Sequence, residues 1–202
     1  MGAVTGIILA GGRSSRIGHD KAQLLIDGIP LLRRVFDSAA QCCTTVYVVT
    51  PWADRYREIL PPDCHFVHET SRSDSSMSQG PLIGFIEGLA HVETEWTLLL
   101  ACDLPRLQAE VFQSWVSELD AVDDSIVALL PRHSKGWEPL CGFYRQRCLP
   151  ELQAYREAGG RSFQRWLLGQ TVQTLHVPDT RMLLNCNTLH DLEQVMDTRT
   201  IL

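Results

Sequence analysis

The sequence predicts an α/β protein, and two patterns support this. Short apolar or β-branched runs at Val4 to Leu9, Thr45 to Thr50, His65 to His68 and Trp96 to Cys102 alternate with segments of helical period. Strands that alternate with helices imply a parallel sheet covered on both faces. Val4–Leu9 and Trp96–Cys102 are also apolar without a polar face, as expected of strands buried on both sides.

The elements follow in order. The first run stops at Gly11-Gly12, and the loop from Gly11 to Lys21 holds three glycines, two serines and the basic residues Arg13, Arg16 and Lys21. Glycine lets a backbone turn its N–H groups toward a close ligand, and successive N–H groups form a nest for an anion. A strand feeding such a loop is a candidate phosphate cradle, although neither the P-loop nor the G-x-G-x-x-G spacing is present. Ala22 to Ile26 reads as a short extended or helical packing segment before the Asp27-Gly28 turn. Pro30 opens a helix whose apolar face is Leu31, Leu32, Val35, Phe36, Ala39 and Ala40. Thr45–Thr50 is a strand ended by Pro51. Residues 53 to 59 form a short helix before Pro61-Pro62, and His65–His68 is a third strand.

Residues 69 to 80 are polar and Ser-rich, either a surface loop or a lid that orders over a ligand. Pro81 opens a helix with Leu82, Ile83, Phe85, Ile86 and Leu89. Trp96–Cys102 is the expected central strand, and Asp103 stands just past its end, where open α/β sheets bind ligands. Asp103 could equally cap the helix that follows, through Leu107, Val111, Trp115 and Leu119. Ser125–Pro131 reads as a strand, Arg132–Glu138 as a polar loop and Pro139–Tyr144 as another strand. Helical stretches run from Arg145 to Glu157 and from Ser162 to Leu168. Val172–Val177 is strand-like, and Met182–Thr188 leads into a final helix, with Thr188 and Asp191 as a capping box.

The totals exclude several classes. The chain has 202 residues, 45% hydrophobic and 21% charged, so one ordered domain over residues 1–202 is expected. A net charge of −6 argues against nonspecific nucleic-acid binding. No apolar window spans a bilayer, and the N-terminus has neither a signal core nor a myristoylation pattern, so a cytoplasmic protein with no membrane partner is expected. Seven cysteines in an odd set without C-x-x-C argue against a zinc site or a disulfide framework.

The string from Leu9 to Lys21, Leu-Ala-Gly-Gly-x-Ser-x-Arg-Ile-Gly-x-Asp-Lys, resembles the signature of nucleotidyltransferases that join an NTP to a phosphorylated small molecule. Within these it is most similar to the molybdenum cofactor guanylyltransferases, the MobA family. Gly80-Pro81-Leu82-x-Gly84, Cys102-Asp103-Leu104-Pro105 and Asn185-Cys186-Asn187-Thr188 match further family motifs, and Leu189 replaces a family proline. The resemblance implies a Rossmann-like three-layer αβα sandwich with a mostly parallel, mixed sheet. Its N-terminal half would bind the nucleotide and its C-terminal half the acceptor.

The resemblance also implies roles. Leu9, Ala10, Gly11 and Gly12 would wrap the nucleotide, with Lys21 and Arg16 on the triphosphate; Asp20 would join them or hold the loop's shape. Asp103 would bind Mg²⁺, with Asn187 as a second ligand or simply part of a turn. Thr50 stands where the pattern has Asn, and Glu69 where it has Asp, so GTP and CTP both stay open. Gly80 would contact the nucleotide edge. Arg161, a bidentate phosphate binder by chemistry, and Asn185 would face the acceptor. The expected reaction is transfer of GMP from GTP to molybdenum-bearing molybdopterin, with pyrophosphate released. Transient contact with other cofactor-biosynthesis proteins or target apoenzymes would follow. The alternatives are a cytidylyltransferase or another small-molecule nucleotidyltransferase, and a non-catalytic nucleotide-binding accessory protein.

Overall fold

The computed structural model describes residues 2–11, 20–69, 80–134, 136–186 and 191. The strands are β1 (Val4–Leu9), β2 (Leu25–Ile26), β3 (Ile29–Pro30), β4 (Thr45–Thr50), β5 (His65–His68), β6 (Trp96–Ala101), β7 (Ala128–Leu130), β8 (Arg132–His133), β9 (Gly136–Trp137), β10 (Cys141–Arg145) and β11 (Val172–Thr174). The helices are α1 (Leu31–Ala40), α2 (Ala53–Tyr56), α3 (Pro81–Leu89), α4 (Ala109–Glu118), α5 (Leu149–Glu157) and α6 (Phe163–Leu167).

Seven strands form one sheet in the order β11-β7-β10-β6-β1-β4-β5. β1 pairs in parallel with both β4 and β6, and β4 with β5. β10 is antiparallel to both of its neighbours, β6 and β7. The expected mostly parallel, mixed sheet is therefore observed, with β10 as its one reversed strand.

Side chains that alternate along a strand serve opposite faces. Ile8, Leu98, Leu100 and Leu129 pack on one side with Leu32 and Val35 of α1 and Phe112 and Trp115 of α4. Ile7, Leu99, Ala128 and Leu130 pack on the other with Phe85 of α3, Leu152 of α5 and Trp166 of α6. All six residues of β6 are buried, as befits the middle of three layers.

Several elements differ from expectation. Ala22 lies in a 3₁₀ turn, Lys21–Gln23, and Leu25–Ile26 pairs with Ile29–Pro30 across the Asp27-Gly28 turn, so Pro30 ends a strand before α1 begins. Asp27 and Gly28 both have positive φ, 52° and 78°, which such a tight hairpin requires. The Arg132–Glu138 segment is not a plain loop: Arg132 pairs with Trp137 and His133 with Gly136. β7 begins three residues after Ser125, because the Asp123 carboxylate accepts from both the Ser125 amide and hydroxyl and holds a turn there. β11 ends at Thr174, short of Val177.

Arg145 ends β10 rather than opening a helix. Its guanidinium turns back into the fold, donating to the carbonyls of Ile126, Val122 and Asp123, pairing with Glu95 and lying over the Trp96 ring. The helical stretch then starts with a 3₁₀ turn, Gln146–Cys148, before α5. The Ser-rich segment and the last helix lie outside the described residues, apart from Glu69, Gly80 and Asp191. No helix among the described residues is long and apolar enough to cross a membrane.

Candidate active site

From β1 the chain moves out through β4 to β5, then returns across β1 to β6. Such a reversal opens a crevice at the carboxyl ends of the strands, where open α/β sheets bind ligands. A cavity of about 200 Å³ lies there. It is lined by Leu9, Ala10 and Gly11 after β1 and by Ala101, Cys102 and Asp103 after β6. Asp20, Lys21, Ala22 and Tyr56 also line it, as do Glu69, Gly80, Pro81, Gly84 and Leu140.

The glycine turn is pinned at its root. The Ala10 amide donates to the Val49 carbonyl at 2.9 Å and the Cys102 amide to the Leu9 carbonyl at 3.2 Å. The Thr50 hydroxyl donates to the Ala10 carbonyl at 3.0 Å and accepts from the Trp52 amide at 3.1 Å. Thr50 is fully buried and lies outside the cavity lining, so its hydroxyl acts on the turn. A Cβ on Gly11 would collide with Oε2 of Glu69, so the carboxylate of Glu69 lies directly over the turn. Burial pushes the Glu69 carboxyl up, and the nearby Glu87 adds to the shift.

Asp103 and Lys21 face each other across the cavity. Nζ of Lys21 is 4.0 Å from Oδ2 of Asp103, and each side chain is 21% exposed. Burial pushes the Asp103 carboxyl up, against the opposing pull of Lys21. The Asp103 backbone is fixed from the far end of the chain, because the Cys186 amide donates to its carbonyl at 2.8 Å. Asp20 caps the 3₁₀ turn that follows it: Oδ1 accepts from the Ala22 amide at 3.1 Å, and Oδ2 accepts from the Tyr56 hydroxyl at 2.8 Å. Gly80 precedes α3 with φ of 84°, a conformation that favours glycine, and directs the helix N-terminus at the cleft. A helix N-terminus carries partial positive charge and suits an anionic ligand.

On the β10 side, the Ala101 amide donates to the Leu140 carbonyl at 2.9 Å, bringing the start of β10 beside the end of β6. Glu138 stands near this edge. Burial pushes its carboxyl up, opposed by His133, whose Nε2 lies 3.8 Å away.

The cleft therefore gathers Leu9, Ala10, Gly11, Lys21, Glu69, Gly80 and Asp103 of the residues singled out in the sequence. Asn185 is exposed next to buried Cys186. Arg161 is exposed and donates from Nη1 to the carbonyls of Arg156 and Gly160, at the end of α5. Gly12, Arg16 and Asn187 lie outside the described residues. The sequence reading missed Tyr56, since a single tyrosine in a four-residue helix carries no signal.

Asp103 can be tested as a metal ligand on its surroundings. It is a hard oxygen donor, partly exposed, facing a cavity that a phosphate chain could share, and this fits a divalent cation bound through few carboxylates. Among the described residues no group of three His, Cys, Asp or Glu side chains is placed to hold a metal.

A strand-end carboxylate and a lysine facing each other beside the end of β1, in a doubly covered α/β sheet, suit the phosphates of a nucleotide, as a nucleotidyltransferase would bind them. The comparisons agree. Residues 6–173 match the model of the MobA-like NTP transferase domain. A probable molybdenum cofactor guanylyltransferase from a Nostoc species is 54% identical over 95% of this chain and 90% of its own. The molybdenum cofactor guanylyltransferase of Desulfosudis oleivorans is 30% identical over 96% and 95%. The crystal structure of the molybdopterin-guanine dinucleotide biosynthesis protein A of Archaeoglobus fulgidus shares the fold, with a TM-score of 0.78 and 21% identity over 98% of this chain and all of that one.

The chain belongs to the MobA-like NTP transferase family and, within it, to the molybdenum cofactor guanylyltransferases. It is a nucleotidyltransferase of molybdenum cofactor biosynthesis.

Proposed function

We propose that the chain transfers GMP from GTP to the terminal phosphate of molybdopterin carrying molybdenum, with Mg²⁺ as the metal. The supporting observation is that the glycine turn, Lys21 and Asp103 share one cavity at the reversal of strand order. An oxygen of the acceptor phosphate attacks the α-phosphorus of GTP. The bond to the β-phosphate oxygen breaks, and pyrophosphate leaves with that electron pair. A phosphate monoester is largely ionised near neutral pH, so no protein base is required.

The residues supply binding and charge. Backbone N–H groups after Leu9, with Gly12 beyond the described residues, receive the triphosphate. Lys21 and Arg16 stabilise the charge that grows on the leaving pyrophosphate, without the reorganisation that water would need. Asp103 would hold the cation, with Asn187 as a second ligand, and the cation would supply charge neutralisation at the phosphates. Glu69 stands over the turn as an acceptor for donors of the nucleoside, and Gly80 borders that pocket. Arg161 and Asn185 would serve the acceptor, the C-terminal half thereby complementing the nucleotide-binding N-terminal half of a single domain. The protein's contacts would be GTP and molybdopterin, with transient docking to other cofactor-biosynthesis proteins or apoenzymes.

The test is pyrophosphate release on mixing the protein with Mg²⁺, GTP and molybdenum-bearing molybdopterin. Asp103→Ala should lower release at least about 100-fold, as loss of a transition-state electrostatic group does, while circular dichroism stays native. Full activity in that variant would end the proposal.

A further inference from the structure

We infer that Tyr56 is a positioning residue for nucleotidyl transfer, its hydroxyl acting through Asp20 to aim Lys21 into the cleft. The inference rests on the reading that Lys21 meets the triphosphate. Lys21 follows Asp20, and the two oxygens of the Asp20 carboxylate have different duties. Oδ1 accepts from the Ala22 amide, one residue beyond Lys21, and Oδ2 accepts from the Tyr56 hydroxyl. The backbone closes the same turn, with Gln23 donating to the Asp20 carbonyl and Leu24 to the Lys21 carbonyl, both at 3.1 Å. Lys21 is thus the first residue of a turn held by a carboxylate, which is itself held by a phenol 36 residues later in the chain.

Tyr56 can serve as an anchor because its ring is packed in the core. It is 1% exposed and belongs to the core on the α1 side of the sheet, yet it lines the cavity. An aspartate with only its Oδ1 bond could turn about its side-chain torsions and loosen its hold on the Ala22 amide, and so on the turn that Lys21 opens. The Tyr56 hydroxyl thus fixes the Asp20 carboxylate where it lines the cavity, next to Lys21.

Phenylalanine preserves the ring and deletes only the hydroxyl. Tyr56→Phe should lower kcat for pyrophosphate release between about 10- and 100-fold, the range expected when a charged group is displaced by about an ångström. KM for GTP should change less than about threefold, a split that a loosened fold would not produce. The Tyr56→Phe effect should also shrink to less than about twofold in an Asp20→Asn background, because the hydroxyl acts through that carboxylate. A folded Tyr56→Phe protein with wild-type kcat overturns the inference, and so does full additivity with Asp20→Asn. If Tyr56→Phe does not fold, Asp20→Asn alone must show the same kcat loss, and wild-type kcat there is equally fatal. Lys21→Met in the same assays separates the two layers. If it leaves turnover unchanged, the reading of Lys21 fails; if it abolishes turnover while Tyr56→Phe does not lower it, only the role of Tyr56 fails.

Discussion

At the scale of single residues, the cleft is built against stability. A carboxyl group whose pKa is raised by folding favours the fold when protonated. That contribution is fully present below the unfolded value and is lost as pH rises through the folded one. Glu69 is such a group, raised by burial and by Glu87. Glu69→Gln should therefore melt higher than wild type at pH 7 to 8, with the advantage fading as pH falls toward 4. Each 2–4 °C of advantage corresponds to about 1 kcal/mol in a chain of this size. Equal melting temperatures across pH 4–8 would show that Glu69 carries no such penalty. The site was partly legible at this scale. Gly11 and Asp103 were readable because each comes just after an apolar strand in sequence, β1 or β6. The tie between Tyr56 and Asp20 was not, since it crosses 36 residues, and neither was the use of the Thr50 hydroxyl on Ala10, 40 residues away.

At the scale of elements, apolar runs marked β1 and β6, and a β-branched run ended by Pro51 marked β4, each to within a residue. The two-residue ladders β2/β3 and β8/β9 were not readable, since two residues cannot display a period. The end of β10 was misplaced for a third reason: Arg145 looks like a solvated helix residue but is 3% exposed. Its guanidinium satisfies the carbonyls of Ile126, Val122 and Asp123 at the edge where β6 begins, away from the cleft. Arg145→Met would leave those carbonyls without that donor, at a cost of about 2–4 kcal/mol. Urea denaturation should show that loss, while the affinity of the folded variant for GTP stays within about twofold. A parallel loss of affinity would mean that the two ends of β6 are coupled.

At the scale of the whole molecule, a ligand that binds only the folded state raises stability by mass action, about 2.7 kcal/mol at a hundredfold excess over Kd. With Mg²⁺ present, GTP should raise the melting temperature by several degrees, and CTP, ATP and UTP should do so less. An equal shift with CTP would replace the guanylyl reading with its cytidylyl sibling. The reversed direction of β10 has a consequence of its own. A strand running against its neighbours enters the sheet at the rim where they leave it. The β8–β9 hairpin and Pro139-Leu140 are therefore delivered to the same rim as the glycine turn, though they come from the other half of the chain. The hairpin forms its own two-stranded sheet, anchored by Trp137 against the core and by Gln164 of α6, so its length and remaining side chains could diverge while β1 and β6 stayed in place. In that way one scaffold could be re-specified for a different second substrate while its nucleotide half stayed the same.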